Sequence, residues 1–146
     1  MCLCRNNSVS VRKFNNIYLI GGGTGITPLY QIIQYFSEVE APQGKGPKIS
    51  LLFANRTEND ILLKGELENY EISNHNFKCH FSVDKSVTDN WTGFTGFIDE
   101  EKFRKTIPED IENTIFAACG PPIMVNMVEK ILTSKFNVSP KKFFRF

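Results

Sequence analysis

Short apolar runs alternate along the chain with segments whose apolar positions recur every three or four residues. Ile17 to Ile20 is the first such run, and its length reads as a buried strand. Behind three consecutive glycines, Ile26, Leu29, Ile33 and Phe36 fall on one helical stripe. Thr27 is the expected N-cap of that helix, Pro28 suits its first position, and the helix should fade near Val39. Ala41 to Lys48 carries two prolines and two glycines and reads as a loop. Ile49 to Asn55 is a second strand. Thr57-x-x-Asp60 has the form of a capping box, which predicts a helix over about residues 61–70. A third strand follows at Phe77 to Val83, then a longer loop over residues 84–98, a short helix from Asp99 to Ile107 and a fourth strand from Thr114 to Gly120. Pro121 and Pro122 open a last helix, with Met124, Val125, Val128, Ile131 and Leu132 on one broad face. The closing "KKFFRF" reads as an edge strand. Residues 1–16 are polar and unpatterned, a tail or the remnant of a linker.

Strands that are apolar on both faces and alternate with helices predict an α/β fold. The expected architecture is an open parallel sheet of about five strands covered by helices on both faces. Residues 17–146 would form this one domain. Ligands on such sheets bind at the carboxyl ends of the strands, where the winding reverses. If strands one and four are neighbours, the Gly21-to-Pro28 turn and the Cys119-to-Pro122 turn lie side by side.

Composition narrows the classes. A chain of 146 residues that is 41% apolar and 23% charged fits one soluble globular domain. A net charge of +1 gives no argument for a nucleic-acid partner or an anionic membrane. No apolar run approaches the ~20 residues of a membrane span. The first residues lack the apolar core of a secretory signal. Four cysteines (Cys2, Cys4, Cys79 and Cys119) show no zinc-site spacing and read as free thiols of a reducing, cytoplasmic compartment.

The glycine turn is the candidate for chemistry. A dinucleotide fingerprint would read G-x-G-x-x-G or G-x-G-x-x-A, but Gly21-x-Gly23-x-x leads to Ile26. Strand two ends in Asn55-Arg56 rather than an acid, and no G-x-x-x-x-G-K-[ST] is present. Backbone N–H groups and a helix N-terminus could still face an anion. Two readings stay open on these grounds: a phosphate-bearing ligand on the turn, or a structural turn alone.

The particular letters go further. "GGTGITPLYQ", "LLFANRTENDILL", "TGFIDEE", "ACGPPIM" and a final "FFRF" occur in order. Together they resemble the pyridine-nucleotide half of ferredoxin-reductase-like flavoenzymes. Within that superfamily the chain is most similar to NADH-cytochrome b5 reductases and the flavin-reductase domain of nitrate reductases. The resemblance covers about Ile17 to Phe146.

The resemblance implies an NADH-dependent flavoprotein reductase that passes hydride from NADH to FAD and electrons onward to a cytochrome b5-like haem protein or another acceptor. Gly22, Gly23, Thr24 and Gly25 match the segment that approaches the dinucleotide. Thr27 and Pro28 match positions near the flavin ring, and Thr27 could be a helix cap as well. Cys119, Gly120, Pro121 and Pro122 match the nicotinamide-side turn, where the Cys helps place the ring and is not a covalent nucleophile. The plainer reading of Cys119 is a small buried thiol at a strand end. The family often has a third proline where this chain has Ile123. Asp84 matches the acid that accepts hydrogen bonds from the adenosine ribose in NADH-preferring members and would repel the 2′-phosphate of NADPH; the alternative is a loop-capping aspartate. On the cofactor reading Asp84→Thr narrows the preference for NADH. Phe146 matches a terminal aromatic near the flavin and nicotinamide, or else fills a gap at the sheet edge, and Phe97 is expected near the adenine. His75 and His80 read as surface or strand residues. Lys141, Lys142 and Arg145 read as a solvated basic end rather than a dock for an acidic acceptor. Hydride transfer needs two aligned rings rather than a protein acid or base, so no catalytic triad is expected.

Relatives hold their flavin in a β-barrel with an Arg-x-Tyr-[Ser/Thr] signature, which is not found here. The expectation is therefore a lobe that works with an FAD-binding domain in cis or in trans. By itself it should be colourless, bind NADH weakly and be nearly inactive. The alternatives are the C-terminal domain of a nitrate reductase and a nucleotide-binding module without catalysis.

Overall fold

The computed structural model describes residues 14–146; most of the expected tail, with Cys2 and Cys4, lies outside the described residues. Six strands form one parallel sheet. They are β1 (Asn16–Gly22), β2 (Lys48–Asn55), β3 (Phe77–Val83), β4 (Phe94–Thr95), β5 (Thr114–Cys119) and β6 (Phe143–Arg145), in the order β4-β3-β2-β1-β5-β6. The helices are α1 (Ile26–Tyr35), α2 (Lys64–Ser73), α3 (Glu100–Thr106) and α4 (Pro122–Lys135). Among the described residues no helix is long and apolar enough to cross a membrane.

The period-two alternation of each strand sorts its side chains into two cores. Ile17 and Leu19 of β1, Ile49, Leu51 and Phe53 of β2, and Ile115 of β5 pack with Ile26, Leu29 and Ile33 of α1 and Leu67 of α2. Tyr18, Ile20, Leu52 and Phe116 point the other way, against Phe103 of α3 and Val125, Val128 and Leu132 of α4. Full burial of one such side chain contributes about 1.5–3 kcal/mol. The Tyr18 hydroxyl is also buried. Because Thr106 Oγ1 donates to Lys102 O at 2.8 Å, Tyr18 must be the donor in its own bond to Thr106 Oγ1.

The structure departs from the expected boundaries at several points. Thr27 does not cap α1. A 3-10 turn over Gly23–Gly25 precedes the helix, the N-cap is Gly25, and Thr27 sits in the first turn donating to Thr24 O at 3.2 Å. The helical path also outruns Val39. It widens into a π-type turn at Phe36–Glu40, tightens into a 3-10 turn at Ala41–Gln43 and stops at Gly44, whose φ of 68° is left-handed. The capping box at Thr57 exists, but it closes a three-residue 3-10 turn at Glu58–Asp60, and α2 begins only at Lys64. The sixth strand, β4, lies inside the expected loop: Gly96 N donates to Val83 O, and Phe94 and Thr95 pair with Ser82 and Val83.

Candidate functional site

The winding reverses between β1 and β5, which pair in parallel with Gly21 opposite Cys119. The turns that follow these two strands are therefore neighbours, which meets the condition on which the sequence would set them side by side. Their contact is intimate. A Cβ on Gly25 would stand 2.2 Å from Cys119 O, and one on Gly120 would stand 3.2 Å from Gly22 Cα. A Cβ on Gly22 would meet Met124 Sδ at 2.6 Å and Pro121 Cδ at 3.2 Å. So Gly25 is required by the approach of one bend to the other, whereas a Cβ on Gly22 or Gly120 would meet first the flexible end of Met124 and only then the facing bend at 3.2 Å. Gly23 is different: its φ is 54°, and a Cβ there would meet nothing within 4 Å. Of the four, only Gly23 faces open space with bare backbone.

Two helices start at these bends. Neither α1, capped by Gly25, nor α4, capped by Pro121 with Pro122 next, has a side-chain cap or an acidic residue in its first turn. The contrast within the molecule is α3, where Asp99 accepts from Lys102 N and Glu100 and Glu101 follow. The positive ends of α1 and α4 are thus left uncompensated by protein carboxylates. Close by, at the end of β2, the Asn55 side-chain Nδ2 is buried with no hydrogen-bond partner among the described residues.

The other residues named for the two bends differ in exposure. Thr24 and Thr27 are exposed, Pro28 is half-buried, and Pro121 and Pro122 are exposed. Ile123, in place of a third proline, is 84% exposed. Cys119 is a free thiol at the lip of the site, and partial burial raises its pKa, so it stays protonated. Phe146 N donates to Ala118 O at 3.1 Å, which sets the terminal aromatic, 41% exposed, beside the end of β5.

Asp84 and Phe97 form a separate group. Asp84 N donates to Asn55 O at 3.0 Å, and Lys85 N to Arg56 O at 3.1 Å, so Asp84 stands at the carboxyl ends of β2 and β3. Phe97, 76% exposed, follows Gly96, whose carbonyl accepts from Ser82 Oγ. From β5 across β1 and β2 to β3 are three strand spacings, roughly 14 Å. The two groups therefore share one edge of the sheet without touching.

Sequence reasoning missed two residues. Met124 packs on both bends, although its spacing marks it only as part of the apolar face of the last helix. Glu58 accepts from Ser86 Oγ at 2.6 Å, Val87 N at 2.9 Å and Thr88 Oγ1 at 3.0 Å, tying the segment after Asp84 to the end of β2. Those partners lie about 30 residues away, and no local spacing announces them.

Other features stay apart from this edge. A cavity of about 350 Å³ opens between α2 and the loop before β4. Its charged groups are already engaged: Glu71 accepts from Cys79 N and Sγ, and Glu68 pairs with Lys64. Burial and the adjacent Glu71 push the Cys79 thiol up to about 12. His80, half-buried against Phe94, has its pKa lowered by burial, and His75 is exposed. Arg145 pairs with Glu129 and Asn126, and Lys142 with Glu112. The basic end is thus largely neutralised by its own neighbours.

An open parallel α/β sheet with two touching turns at its switch point places the chain among domains that take ligands across their strand ends. The chain belongs to the family described as the oxidoreductase NAD-binding domain, which matches residues 19–130. It is 37% identical over 130 residues to the NADH nitrate reductase of Cucurbita maxima, covering 89% of this chain and 14% of that protein. It is 41% identical over 131 residues to NADH-cytochrome b5 reductase 2 of Aspergillus oryzae, covering 88% and 38%. Among solved structures, the cytochrome b5 reductase domain of Ulva prolifera nitrate reductase superimposes with a TM-score of 0.78 at 33% identity, covering 91% of this chain and 49% of that one. The chain thus spans less than half the length of each of these relatives.

Proposed function

We propose that this domain binds NADH across its carboxyl edge and presents the nicotinamide to an FAD held by a flavin-binding domain in cis or in trans. Electrons would then pass to a one-electron acceptor such as a cytochrome b5-like haem protein. One observation carries the reading: two helix N-termini without caps or acidic first turns converge where bare backbone at Gly23 faces open space. That arrangement suits a diphosphate. The buried Asn55 amide without an acceptor is a second fit on the same edge.

When bound, NADH supplies the hydride and the flavin accepts it. The chain's own part is to bind and orient. Gly22, Gly23, Thr24 and Gly25 would line the dinucleotide, with the exposed Thr24 and Thr27 hydroxyls as further polar contacts. Thr27 and Pro28 would lie toward the flavin. Cys119, Gly120, Pro121 and Pro122 would form the opposite wall, with Cys119 as a neutral thiol that places the ring and Phe146 beside it. Asp84 would accept from the adenosine ribose and disfavour a 2′-phosphate, and Phe97 would lie near the adenine.

The test has two stages. Titration of the chain with NADH should show saturable binding in the micromolar-to-millimolar range. With a related flavin domain supplied, ferricyanide reduction by NADH should appear, and Cys119→Ser should lower kcat about tenfold without abolishing it, because the thiol orients rather than reacts. Absence of binding at millimolar NADH overturns the proposal. Complete loss of activity in Cys119→Ser overturns the positioning role.

A further inference from the structure

The segment after β3 poses a problem that the ladder does not solve. Asp84 and Lys85 are held by backbone bonds to β2, at Asn55 O and Arg56 O. Beyond Lys85 no backbone bond to β2 continues among the described residues. Nor does any hydrogen bond or ion pair among them hold the exposed Asp84 carboxylate itself. Past Lys85 such a segment would be free to swing, leaving the Asp84 carboxylate, whose own backbone stays on the ladder, without an ordered neighbour on that side.

Glu58 supplies the missing restraint. It sits in the 3-10 turn that follows β2, and that turn is itself closed by its capping box: Thr57 N and Thr57 Oγ1 donate to Asp60 Oδ2 at 3.1 and 2.9 Å. From this fixed base one carboxylate gathers the Ser86 hydroxyl, the Val87 and Thr88 N–H groups and the Thr88 hydroxyl, at 2.6 to 3.3 Å. Charge-assisted bonds of this kind are about twice as strong as neutral ones. The acceptor is charged at neutral pH, since these donors, Ser86 foremost, hold its pKa down at about 2.

We propose that Glu58 is a positioning residue for nucleotide selectivity, which clamps residues 86–88 so that Asp84 stands where an adenosine ribose would meet it. The inference rests on the NADH-binding reading above and names a residue outside the motifs that suggested it. Glu58 touches no nucleotide in this account and acts through Asp84. Its loss should weaken NADH binding and, by relaxing the repulsion between Asp84 and the 2′-phosphate, leave NADPH binding unchanged or slightly tighter.

The experiment is an equilibrium titration of the chain with NADH and with NADPH, for the wild type, Glu58→Ala, Glu58→Gln, Asp84→Ala and the Glu58→Ala/Asp84→Ala double variant. Glu58→Ala should lower the NADH-to-NADPH preference about fivefold, and Glu58→Gln, which keeps one acceptor oxygen, should recover part of it. In the Asp84→Ala background, adding Glu58→Ala should change the ratio no further. A merely structural role would not give that pattern. Should Glu58→Ala fail to fold, Ser86→Ala/Thr88→Val removes two of the four donors and should move the ratio in the same direction. An unchanged ratio in the Glu58 variants, or additive effects in the double variant, overturns the role of Glu58 while Asp84→Ala still collapses the preference. Absence of binding by the wild type, or an unchanged ratio in Asp84→Ala, overturns the underlying reading and this inference with it.

Discussion

The two ends of the candidate site are built by opposite means. At the β1–β5 switch point the two bends are shaped by missing side chains: Gly22, Gly25 and Gly120 let main chain meet main chain, and hardly a side-chain hydrogen bond takes part. Three strands away, the segment after Asp84 is exposed and polar, and one carboxylate ties it down. The first end is rigid because its atoms have nowhere to go, the second because it is tethered. Packed ends fail when something is added; tethered ends fail when something is taken away.

Gly25→Ala should give the largest effect. The added methyl would stand 2.2, 2.5 and 2.8 Å from main-chain atoms of Cys119 and Gly120, none of which can rotate aside. We expect a loss of about 3 kcal/mol or more in denaturant unfolding. Gly23→Ala should cost only about 1–2 kcal/mol, the cost of a left-handed residue in open space. A Gly25→Ala chain as stable as the wild type would mean that the bends are not packed as described.

The two ends should also part company with pH. Tyr18, in β1 beneath the first bend, has its pKa raised by burial from an ordinary 10.0, and Cys79 is raised from 9.0 to about 12. Groups raised in the folded state contribute stability that is full below the ordinary values and is lost as pH climbs through the folded ones. The fold should therefore weaken from about pH 9 upward, and Tyr18→Phe should flatten that alkaline slope in circular-dichroism titrations. Glu58 has the opposite sign. Its pKa is lowered from 4.5 to about 2, so its hold on residues 86–88 is complete above 4.5 and is lost as pH falls through about 2. Amide resonances of Val87 and Thr88 should report that release; resonances that stay fixed down to about pH 1.5 would contradict the tether. The smallest effect belongs to the basic end, where Arg145→Ala removes an exposed ion pair with Glu129 and should change stability by less than about 1 kcal/mol.

Legibility from the sequence divides along the same line. The buried strands are legible because apolar runs such as Ile49 to Phe53 face helices on both sides, whereas the juxtaposed bends follow only once the sheet order sets β1 beside β5. The start of α1 was misread because Thr27 looks like a cap, while the extra 3-10 turn that displaces it depends on the left-handed Gly23. β4 was missed because two residues, Phe94 and Thr95, carry no period. The Thr57 box was found but assigned to the wrong element, since a box fixes an N-terminus and not the length of the helical turn behind it. Glu58 was invisible because its partners come from another loop. The glycine turn leaves two readings open in the sequence, room for a ligand or a structural turn, and the packing of Gly25 against the Cys119 carbonyl, which serves the second, depends on a contact with another bend that local spacing does not show.

The rims of the sheet carry one more consequence. The sheet ends in β4, two residues long, on one side and β6, three residues long, on the other. Each is short, as edge strands that resist recruiting a foreign strand tend to be, and where β4 leaves the rim of β3 uncovered the Cys79 N–H is taken by Glu71. A companion that docked through side chains and loops at the carboxyl edge would leave every rung of the sheet in place.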